Sequence, residues 1–539
     1  MTDQRERMNA HRSDDRPSTG GPSNPAMRLT VGSGSEQLRG IVEGTYTKYR
    51  NRHEMVSARD TRDARSLRGE RSSIAGAKDI ANGRRSNGDG AHSANGTGNG
   101  SSKAAGAGKG RASGRRPRVL FLSYRFPFPL IGGDRIKAYH LVRHLSSIAD
   151  VDLIALDEAQ SATAETIPEL EAFANVRVLP FNRRKAAGRI IKSLPTDLPI
   201  EFAYYNDESM QEAVDKALEE NTYDLILCFF LRTAKFVRNH VATPKLLIAE
   251  DARVILEERA TERFTIFRGL DNHLQYIIRK IDAKRLRAYE PQAMSEGFSR
   301  ITFVSKVDER RIRLADPELE TSILSNGVQL ADYEFCAGER EDKLIFFGHL
   351  GTYHNVLMAK RLLKSIYPKI REVSPRTKLA IIGKSPGKEL AKLVERTPGA
   401  ELHPDVKDVR PFLRSCKVLV HAQTVGAGIQ NKLLEAMAMG TPIVTTPVGA
   451  SGIEGMEDNV NALVRTTDQE IIEATLSLLK NDEKALRLAR NARELIEERY
   501  TWDHVFRTLD ILIDETVPDF FERRATDLTP VAQKEYVRT

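Results

Sequence analysis

From Arg118 onward, short apolar runs rich in β-branched and aromatic residues alternate with longer segments of helical periodicity. Parallel strands need a crossover of a dozen or more residues between them, usually a helix, and strands buried on both faces read as continuous apolar runs. The alternation therefore predicts parallel α/β sheets wound on both faces. The runs predicted as strands are RVLFLS, VDLIAL, VRVLP, YDLILCFF, KLLIAE and RITFVS, followed by KLIFFG, KLAIIG, KVLVHA and PIVTT.

These strands fall into two series, and the chain is long enough for two domains. With 539 residues, of which 40% are apolar, it exceeds what one hydrophobic core usually holds. The Asn326-Gly327 pair between the series marks a turn. We therefore predict one Rossmann-like domain over residues 117–335, a second over 336–517, and a carboxyl-terminal tail over 518–539.

The basic charge of the chain belongs to its amino-terminal part. The net charge is +8, yet Met1–Arg118 holds 23 Lys and Arg against 12 Asp and Glu, which leaves 59 against 62 for the remainder. Residues 1–116 are rich in Ser, Gly, Asn and Arg, a composition that cannot bury enough apolar surface to fold. We predict a disordered basic arm. A nucleic-acid-binding protein acting through this arm is one alternative, which the acidic remainder disfavours.

Cysteine usage and hydropathy indicate a cytoplasmic protein. Cys228, Cys336 and Cys416 lie far apart, so neither a disulfide framework nor a zinc cluster is expected. No stretch approaches the roughly 18 consecutive apolar residues of a membrane-spanning helix. The sequence offers no metal-ligand cluster either, so no metal site is predicted.

Two glycine-punctuated loops follow predicted first strands and lead into helices. Gly132-Gly133 precedes Asp134, a candidate N-cap, and glycines there would let a phosphate or another backbone approach closely. HLGTYHN holds Asn355, another candidate cap, with His349 and His354 read as ordinary loop residues. Because helix N-termini attract anions, both loops are candidate ligand sites, although ordinary βα turns would look the same.

A third loop, QTVGAG, leads into a predicted helix from about Gln430 to Gly440 that carries Lys432 in its first turn and Glu435 one turn later. The helix dipole disfavours a cation in the first turn by about 0.3–1 kcal/mol unless an anion lies in front of it. A diphosphate would be such an anion, and Glu435 would then accept hydrogen bonds from ribose or sugar hydroxyls. The alternative is an i,i+3 ion pair on a solvated face.

The segment GIQNKLLEAMAMGTPIVTTPVGASGI resembles the donor-binding segment of the retaining glycosyltransferases of family four, in the branch associated with bacterial exopolysaccharide clusters. The resemblance covers about residues 117–517 and implies the GT-B architecture, two facing Rossmann-like domains with the active site between them. Further runs similar to that branch are FPFPLIGGDRIKAYHLVRHL, KRLRAYE, FVSKVDERR, SNGVQ, DVRPFLRSCKVLVHA and ARELIEERYTWDHV.

Site residues follow from this resemblance by motif. It implies that Lys432 is the catalytic residue that contacts the donor diphosphate, and that Glu435 binds the ribose. The other residues implied to bind the donor are Gly133, Gly348, Gly428 and Ile429.

The chain departs from the family pattern at three places. Ala427 stands where many members have the first of two glutamates. LILCFFLRTAKF offers only Phe and Leu for the histidine of the first domain, and His349 lies near the position of an expected arginine.

The activity implied is that of a metal-independent hexosyltransferase. It would move a sugar with retention from a nucleotide-sugar donor to a polysaccharide or lipid-linked saccharide, stabilising the departing diphosphate without a protein nucleophile or a cofactor. A nucleotide-sugar 2-epimerase shares the architecture but needs paired acids and bases, for which the sequence offers only Glu435.

One basic segment suggests a membrane contact. FNRRKAAGRIIKSLP places basic residues around Ile190, Ile191 and Leu194, the pattern of a helix lying on an anionic membrane surface. An ordinary basic helix packed on the first domain is the competing interpretation. The basic residues are Arg183, Arg184, Lys185, Arg189 and Lys192.

Overall fold

A computed structural model of the chain describes residues 115–255 and 270–522. The predicted disordered arm, residues 1–116, lies outside the described residues apart from its last two. Arg115 pairs with Asp224 at 3.1 Å and Arg116 with Asp150 at 3.3 Å, so these two arginines belong to the edge of the first domain.

The first domain is built on a seven-stranded sheet of order β3-β2-β1-β4-β5-β6-β7 in which every pair is parallel. Its central strands are buried along their whole length because helices cover both faces. The strands are β1 Arg118–Ser123, β2 Asp150–Asp157, β3 Asn175–Pro180, β4 Leu225–Phe229, β5 Lys245–Glu250, β6 Arg300–Phe303 and β7 Thr321–Ile323.

Helices connect these strands as the periodicity predicts. The first helix is longer than the predicted run and begins directly after Gly132. The helices are α1 Gly133–Ile148, α2 Thr166–Glu171, α3 Arg183–Ser193, α4 Ile200–Tyr205, α5 Glu208–Glu220, α6 Leu231–Ala234, α7 Leu270–Met294 and α8 Lys306–Arg313.

The second domain repeats the arrangement with a six-stranded parallel sheet of order β10-β9-β8-β11-β12-β13. Its strands are β8 Glu341–Phe347, β9 Lys378–Gly383, β10 Ala400–Pro404, β11 Cys416–His421, β12 Ile443–Thr445 and β13 Leu463–Val464. Its helices are α9 Tyr353–Arg361, α10 Tyr367–Val373, α11 Lys388–Glu395, α12 Arg410–Ser415, α13 Asn431–Ala438, α14 Pro447–Ala450, α15 Asp468–Lys480 and α16 Asp482–Arg499. The prediction of two Rossmann-like α/β domains is confirmed.

The strand order reverses direction between β1 and β4 in the first sheet and between β8 and β11 in the second. Ligands of open α/β sheets bind outside the carboxyl ends of the strands at such switch points. The glycine-punctuated loops singled out in the sequence follow β1, β8 and β11, so the topology brings all three to the switch points.

The domain boundary at residue 517 differs from the prediction. A last helix, α17 Trp502–Thr516, crosses back to the first domain, where Val505, Leu509 and Phe520 are buried against α1 and the first sheet. Residues 502–520 therefore belong to the hydrophobic core of the first domain. The sequence prediction divides them between the second domain and a tail, because a sequence shows no discontinuity where a chain changes domain.

Helix α3 packs on the first domain through Ile190, an apolar residue that a helix lying on a membrane would have to expose. Ile190 is buried in the domain core, and Arg189 is bound to Asp207 at 3.1 Å and to the Tyr204 carbonyl oxygen at 2.8 Å. The amphipathic pattern of this helix is thus explained by core packing. Among the described residues, no helix is both long and apolar enough to cross a membrane.

Candidate functional site

A cleft of about 990 Å³ opens between the two sheets, at the carboxyl ends of their central strands. Both domains contribute loops and helix N-termini to its walls. The predicted donor-binding residues found in its lining are Gly133, Gly348, Gly428, Ile429 and Lys432. Glu435 is not among the described residues that line the cleft.

Two helix N-termini oppose each other across this cleft. A Cβ atom at Gly133, the first residue of α1, would lie 2.5 Å from Nδ2 of Asn431, the first residue of α13, so glycine is needed for the approach. Neither helix has a side-chain cap at its N-terminus. The free N–H groups and positive dipole ends of both helices therefore meet at one place, which favours an anionic ligand.

Asp134 does not cap α1, which corrects the prediction. It lies inside the first turn, where its carboxylate accepts hydrogen bonds from the Tyr124 hydroxyl at 2.7 Å and from Arg125 at 2.8 Å. The Arg125 charge holds the pKa of Asp134 at about 2 despite burial. The first turn of α1 is left open toward the cleft.

Lys432 reaches the floor of the cleft and is held there by a residue of the same domain. Its Nζ donates a 2.6 Å hydrogen bond to Oδ1 of Asn355, and Nδ2 of Asn355 donates to the His349 carbonyl oxygen at 3.1 Å. A Cβ at Gly348 would lie 3.1 Å from this Nζ, and Gly348 has a φ of 155°. Glycine at this position therefore leaves room for the lysine.

The Asn355 contact corrects its predicted role as a helix cap. Thr352 precedes α9, and Asn355 lies within the first turn, buried, with its side chain turned toward Lys432. An amide oxygen supports a charged amine without neutralising it. Burial lowers the pKa of Lys432 to about 8, and Glu435 offsets part of that effect.

Glu435 lies one turn beyond Lys432, and the solvated i,i+3 ion pair is not formed. Among the described residues, the pair has no nitrogen-to-oxygen distance within 4.0 Å, and both side chains are partly buried. Burial raises the pKa of Glu435 to about 7, partly offset by the Lys432 charge. Its charge also contributes to the raised pKa of Tyr333, which places the carboxyl on the Tyr333 side of the helix.

Gly428 and Ile429 form the tip of the loop before α13, in contact with the first domain. A Cβ at Gly428, whose φ is 64°, would lie 3.4 Å from side-chain atoms of Asp251 and Val304. The Gly428 backbone also lies near Asp308, a buried carboxyl whose pKa is raised to about 6 by burial and by the Asp251 charge. Asp308 therefore stands where the loop of the second domain meets the first domain.

Ala427, at a position where the sequence resemblance implies a glutamate, lines the cleft, and carboxylates of the first domain lie nearby. Glu250 and Asp251 at the end of β5 both line the cleft. Glu250 is paired with the buried Lys137 at 2.5 Å, whereas Oδ1 of Asp251 is buried with no hydrogen-bond partner among the described residues. The cleft thus holds carboxylates that the motif comparison did not identify.

Phe230 and Arg232 follow the end of β4, where the sequence resemblance implies the histidine of the first domain. Phe230 has a φ of 69°, and the Arg232 guanidinium lies 4.2 Å from the Tyr124 ring centroid and 5.1 Å from that of Phe230. Arg232 is paired with Glu201. Aromatic side chains and an ion-paired arginine therefore line the cleft after β4.

The two histidines of the cleft are neutral near pH 7. Burial, with the Lys384 charge, lowers the pKa of His349 to about 4, and burial, with the Lys432 and His349 charges, lowers that of His354 to about 3. Over residues 115–255 and 270–522, no group of three or more His, Cys, Asp or Glu side chains converges as a metal site would require. Metal independence stays a prediction.

Comparison with known proteins finds a family model that matches most of the second domain. Residues 341–481 match the family model described as Glycosyl transferases group 1. An uncharacterized 44.6 kDa protein in the cps region of Klebsiella pneumoniae is 21% identical over 410 residues, which covers 73% of this chain and 98% of that protein.

Solved structures of similar fold cover the two-domain body. Sucrose-phosphate synthase from Thermosynechococcus elongatus aligns with a TM-score of 0.54 at 15% identity, covering 74% of this chain and 98% of that one. Anabaena Alr3699/HepE in complex with UDP and glucose aligns with a TM-score of 0.52 at 16% identity, covering 74% and 99%. Residues 341–481 thus match the Glycosyl transferases group 1 model, within a two-domain fold of the GT-B type.

Proposed function

We propose that this protein is a retaining glycosyltransferase of family four that takes a hexose from a nucleotide-sugar donor. The observation that carries the proposal is the meeting of two uncapped helix N-termini with Lys432 at the floor of one cleft. Three sources of positive potential around one small volume suit a diphosphate. The structure of Anabaena HepE with UDP and glucose in the same fold supports this choice of ligand.

In the proposed reaction, the bond between the sugar and the diphosphate breaks while the acceptor hydroxyl forms the new bond on the same face of the sugar. Negative charge then develops on the departing diphosphate. Lys432 and the N–H groups of α1 and α13 lie fixed before substrate binds, so they stabilise that charge without reorganisation. We assign the catalytic role to Lys432, and no metal is needed where these groups supply the positive charge.

Glu435 and the loop around Gly428 bind the rest of the donor in this proposal. A ribose held by the Glu435 carboxylate would fix the position of the diphosphate over α13. Gly428 and Ile429 would face the phosphates through their backbones.

The wall contributed by the first domain is the proposed acceptor side. A polysaccharide or lipid-linked saccharide is the proposed acceptor, and a cytoplasmic protein in peripheral contact with anionic lipid would reach the latter. The exposed Arg184, Lys185 and Lys192 of α3 supply charge for such a contact, without the buried Ile190. Pelleting with anionic vesicles that is unchanged after neutralising these three residues would exclude this role of α3.

A donor screen tests the activity. Wild-type protein is first melted with UDP, ADP, GDP and their sugar conjugates, since a ligand at 100 times its Kd stabilises by about 2.7 kcal/mol. The best donor is then incubated with and without EDTA, and NMR follows nucleotide release and the anomeric configuration of the product. Release of nucleoside diphosphate with a retained anomer in EDTA supports the proposal.

The same experiment separates the alternatives. A 2-epimerase would convert the donor into its epimer with no acceptor present, and an inverted product would exclude family four. No stabilisation by any nucleotide would contradict the proposal and leave the nucleic-acid alternative, which a salt-dependent gel shift would then have to support.

A further inference from the structure

Arg135 is a cleft residue that the proposed donor chemistry does not use. It is the third residue of α1, half-buried, and its Nε is buried with no hydrogen-bond partner in the part of the chain that the structure describes. Among the described residues, no carboxylate lies within 4.0 Å of its guanidinium. Burial and the neighbouring Arg125 charge lower its pKa, and the charges of Asp134 and Asp157 only partly oppose this shift.

Arg183 stands at the other side of the loop that follows β2. It is the first residue of α3, is exposed, lines the cleft and donates a 3.3 Å hydrogen bond to the Glu158 carbonyl oxygen. Its charge also partly offsets the effect of burial on the pKa of the Glu158 carboxyl. The α3 N-terminus is already capped by Asn182, so Arg183 serves neither as a cap nor as an ion pair within the described residues. A cation in the first turn of a helix is disfavoured unless an anion accompanies it.

The other arginines of the same wall are neutralised. Arg125 is bound to Asp134, whereas Arg232 and Arg253 share the carboxylate of Glu201. Among the described residues of the first-domain wall, Arg135 and Arg183 are therefore the arginines that form no ion pair within 4.0 Å. Asp157, which affects the pKa of Arg135, is engaged by the backbone N–H groups of residues 161 and 162 at 2.9 Å.

We propose that Arg135 and Arg183 form an anion subsite for the acceptor, and that the acceptor carries a phosphate or diphosphate group. The inference rests on the proposed function and names its second substrate class. The subsite lies in the first domain, two residues along α1 from Gly133, so an acceptor held there presents its sugar to the donor side of the same cleft. A guanidinium pair binds phosphate oxygens through several N–H donors, which suits this ligand better than a neutral sugar.

Titration calorimetry on the full chain, with UDP saturating the donor side, tests the subsite. The probes are glucose 6-phosphate, farnesyl diphosphate, glucuronate and glucose, and the variants are Arg135→Gln and Arg183→Gln. Arg184→Gln is the matched control, since its exposed side chain lies on the same helix outside the cleft. Each cleft variant should raise the Kd of a phosphate-bearing probe by roughly 10-fold or more, as expected for a lost charge-assisted hydrogen bond.

Each outcome decides the proposal. Binding of glucose 6-phosphate that either cleft variant weakens supports it with a soluble sugar phosphate, and the same result with farnesyl diphosphate alone supports it with a lipid diphosphate. Binding of neither probe, equal binding of glucuronate, or affinities unchanged in both cleft variants would overturn it. If UDP itself does not bind, the proposed function fails, and titrations without UDP still decide whether the two arginines bind phosphate.

Discussion

The ionisation of Lys432 should make nucleotide binding fall at alkaline pH. Its pKa of about 8 is below the value of an ordinary lysine, so in the free protein the cation is lost as the pH rises through 8. If only the charged lysine binds the diphosphate, raising the pH from 7 to 9 reduces the charged fraction, and hence the affinity, about 10-fold, or about 1.4 kcal/mol. The terminal phosphate of the nucleotide loses its second proton at about pH 6, so its ionisation changes little above pH 7 and would strengthen rather than weaken binding.

Calorimetric titration of UDP between pH 6 and 10 measures this effect. At pH 9, binding should take up close to one proton, which buffers of different ionisation enthalpy reveal. Lys432→Arg should lose the alkaline decline because a guanidinium stays charged. Glu435→Gln should keep it. An affinity that is flat from pH 7 to 9 in the wild type, or a decline that survives in Lys432→Arg, would refute the assignment of the lysine to the diphosphate.

Three further predictions concern Glu435, the buried Trp502 and two buried glutamates. Glu435→Gln should raise the KM for donor roughly 10-fold with kcat little changed, because the ribose contact acts equally in the ground and transition states; equal losses in both constants would contradict this. Trp502→Ala should destabilise the protein by about 3–5 kcal/mol in a denaturant titration, since Trp502 is buried in the core of the first domain, whereas Ile511→Ala on the exposed face of the same helix should cost little. Glu158 and Glu290 have pKa values raised to about 8 by burial, so their contribution to stability is present below pH 4.5 and lost as the pH rises through 8. The denaturation midpoint of Glu158→Gln should therefore decline less steeply than that of the wild type between pH 5 and 8. Equal slopes for the two proteins would count against this.

The sequence predicts the central strands because burial on both faces leaves a continuous apolar run. Three strands escape that criterion, namely β7, β10 and β13, which have two to five residues and stand at or near sheet edges. Their residues are mostly half-exposed, so no apolar run marks them. The return of α17 to the first domain is equally invisible, because its apolar face suits either core.

The site is predictable where one local segment carries it. The loop before α13 and the position of Lys432 follow from glycine spacing and the helix dipole. The partners of that segment do not, because they come from distant parts of the chain: Asn355 lies 77 residues from Lys432, and Asp308 belongs to the other domain. From the sequence alone, Asn355 is predicted to be a helix cap, and no role is predicted for Asp308. The unpaired cations Arg135 and Arg183 could be recognised only after the carboxylates that neutralise their neighbours were located.

Steady-state kinetics of Lys432→Ala with the donor found by screening tests the central claim most directly. Lys388→Ala serves as the control, because Lys388 is exposed and lies outside the cleft. Removing one fixed donor to a developing charge typically lowers kcat by roughly 100-fold or more. We predict such a loss for Lys432→Ala with a smaller change in donor KM, and wild-type constants for the control. A Lys432→Ala enzyme with unchanged kcat and donor KM would contradict the account.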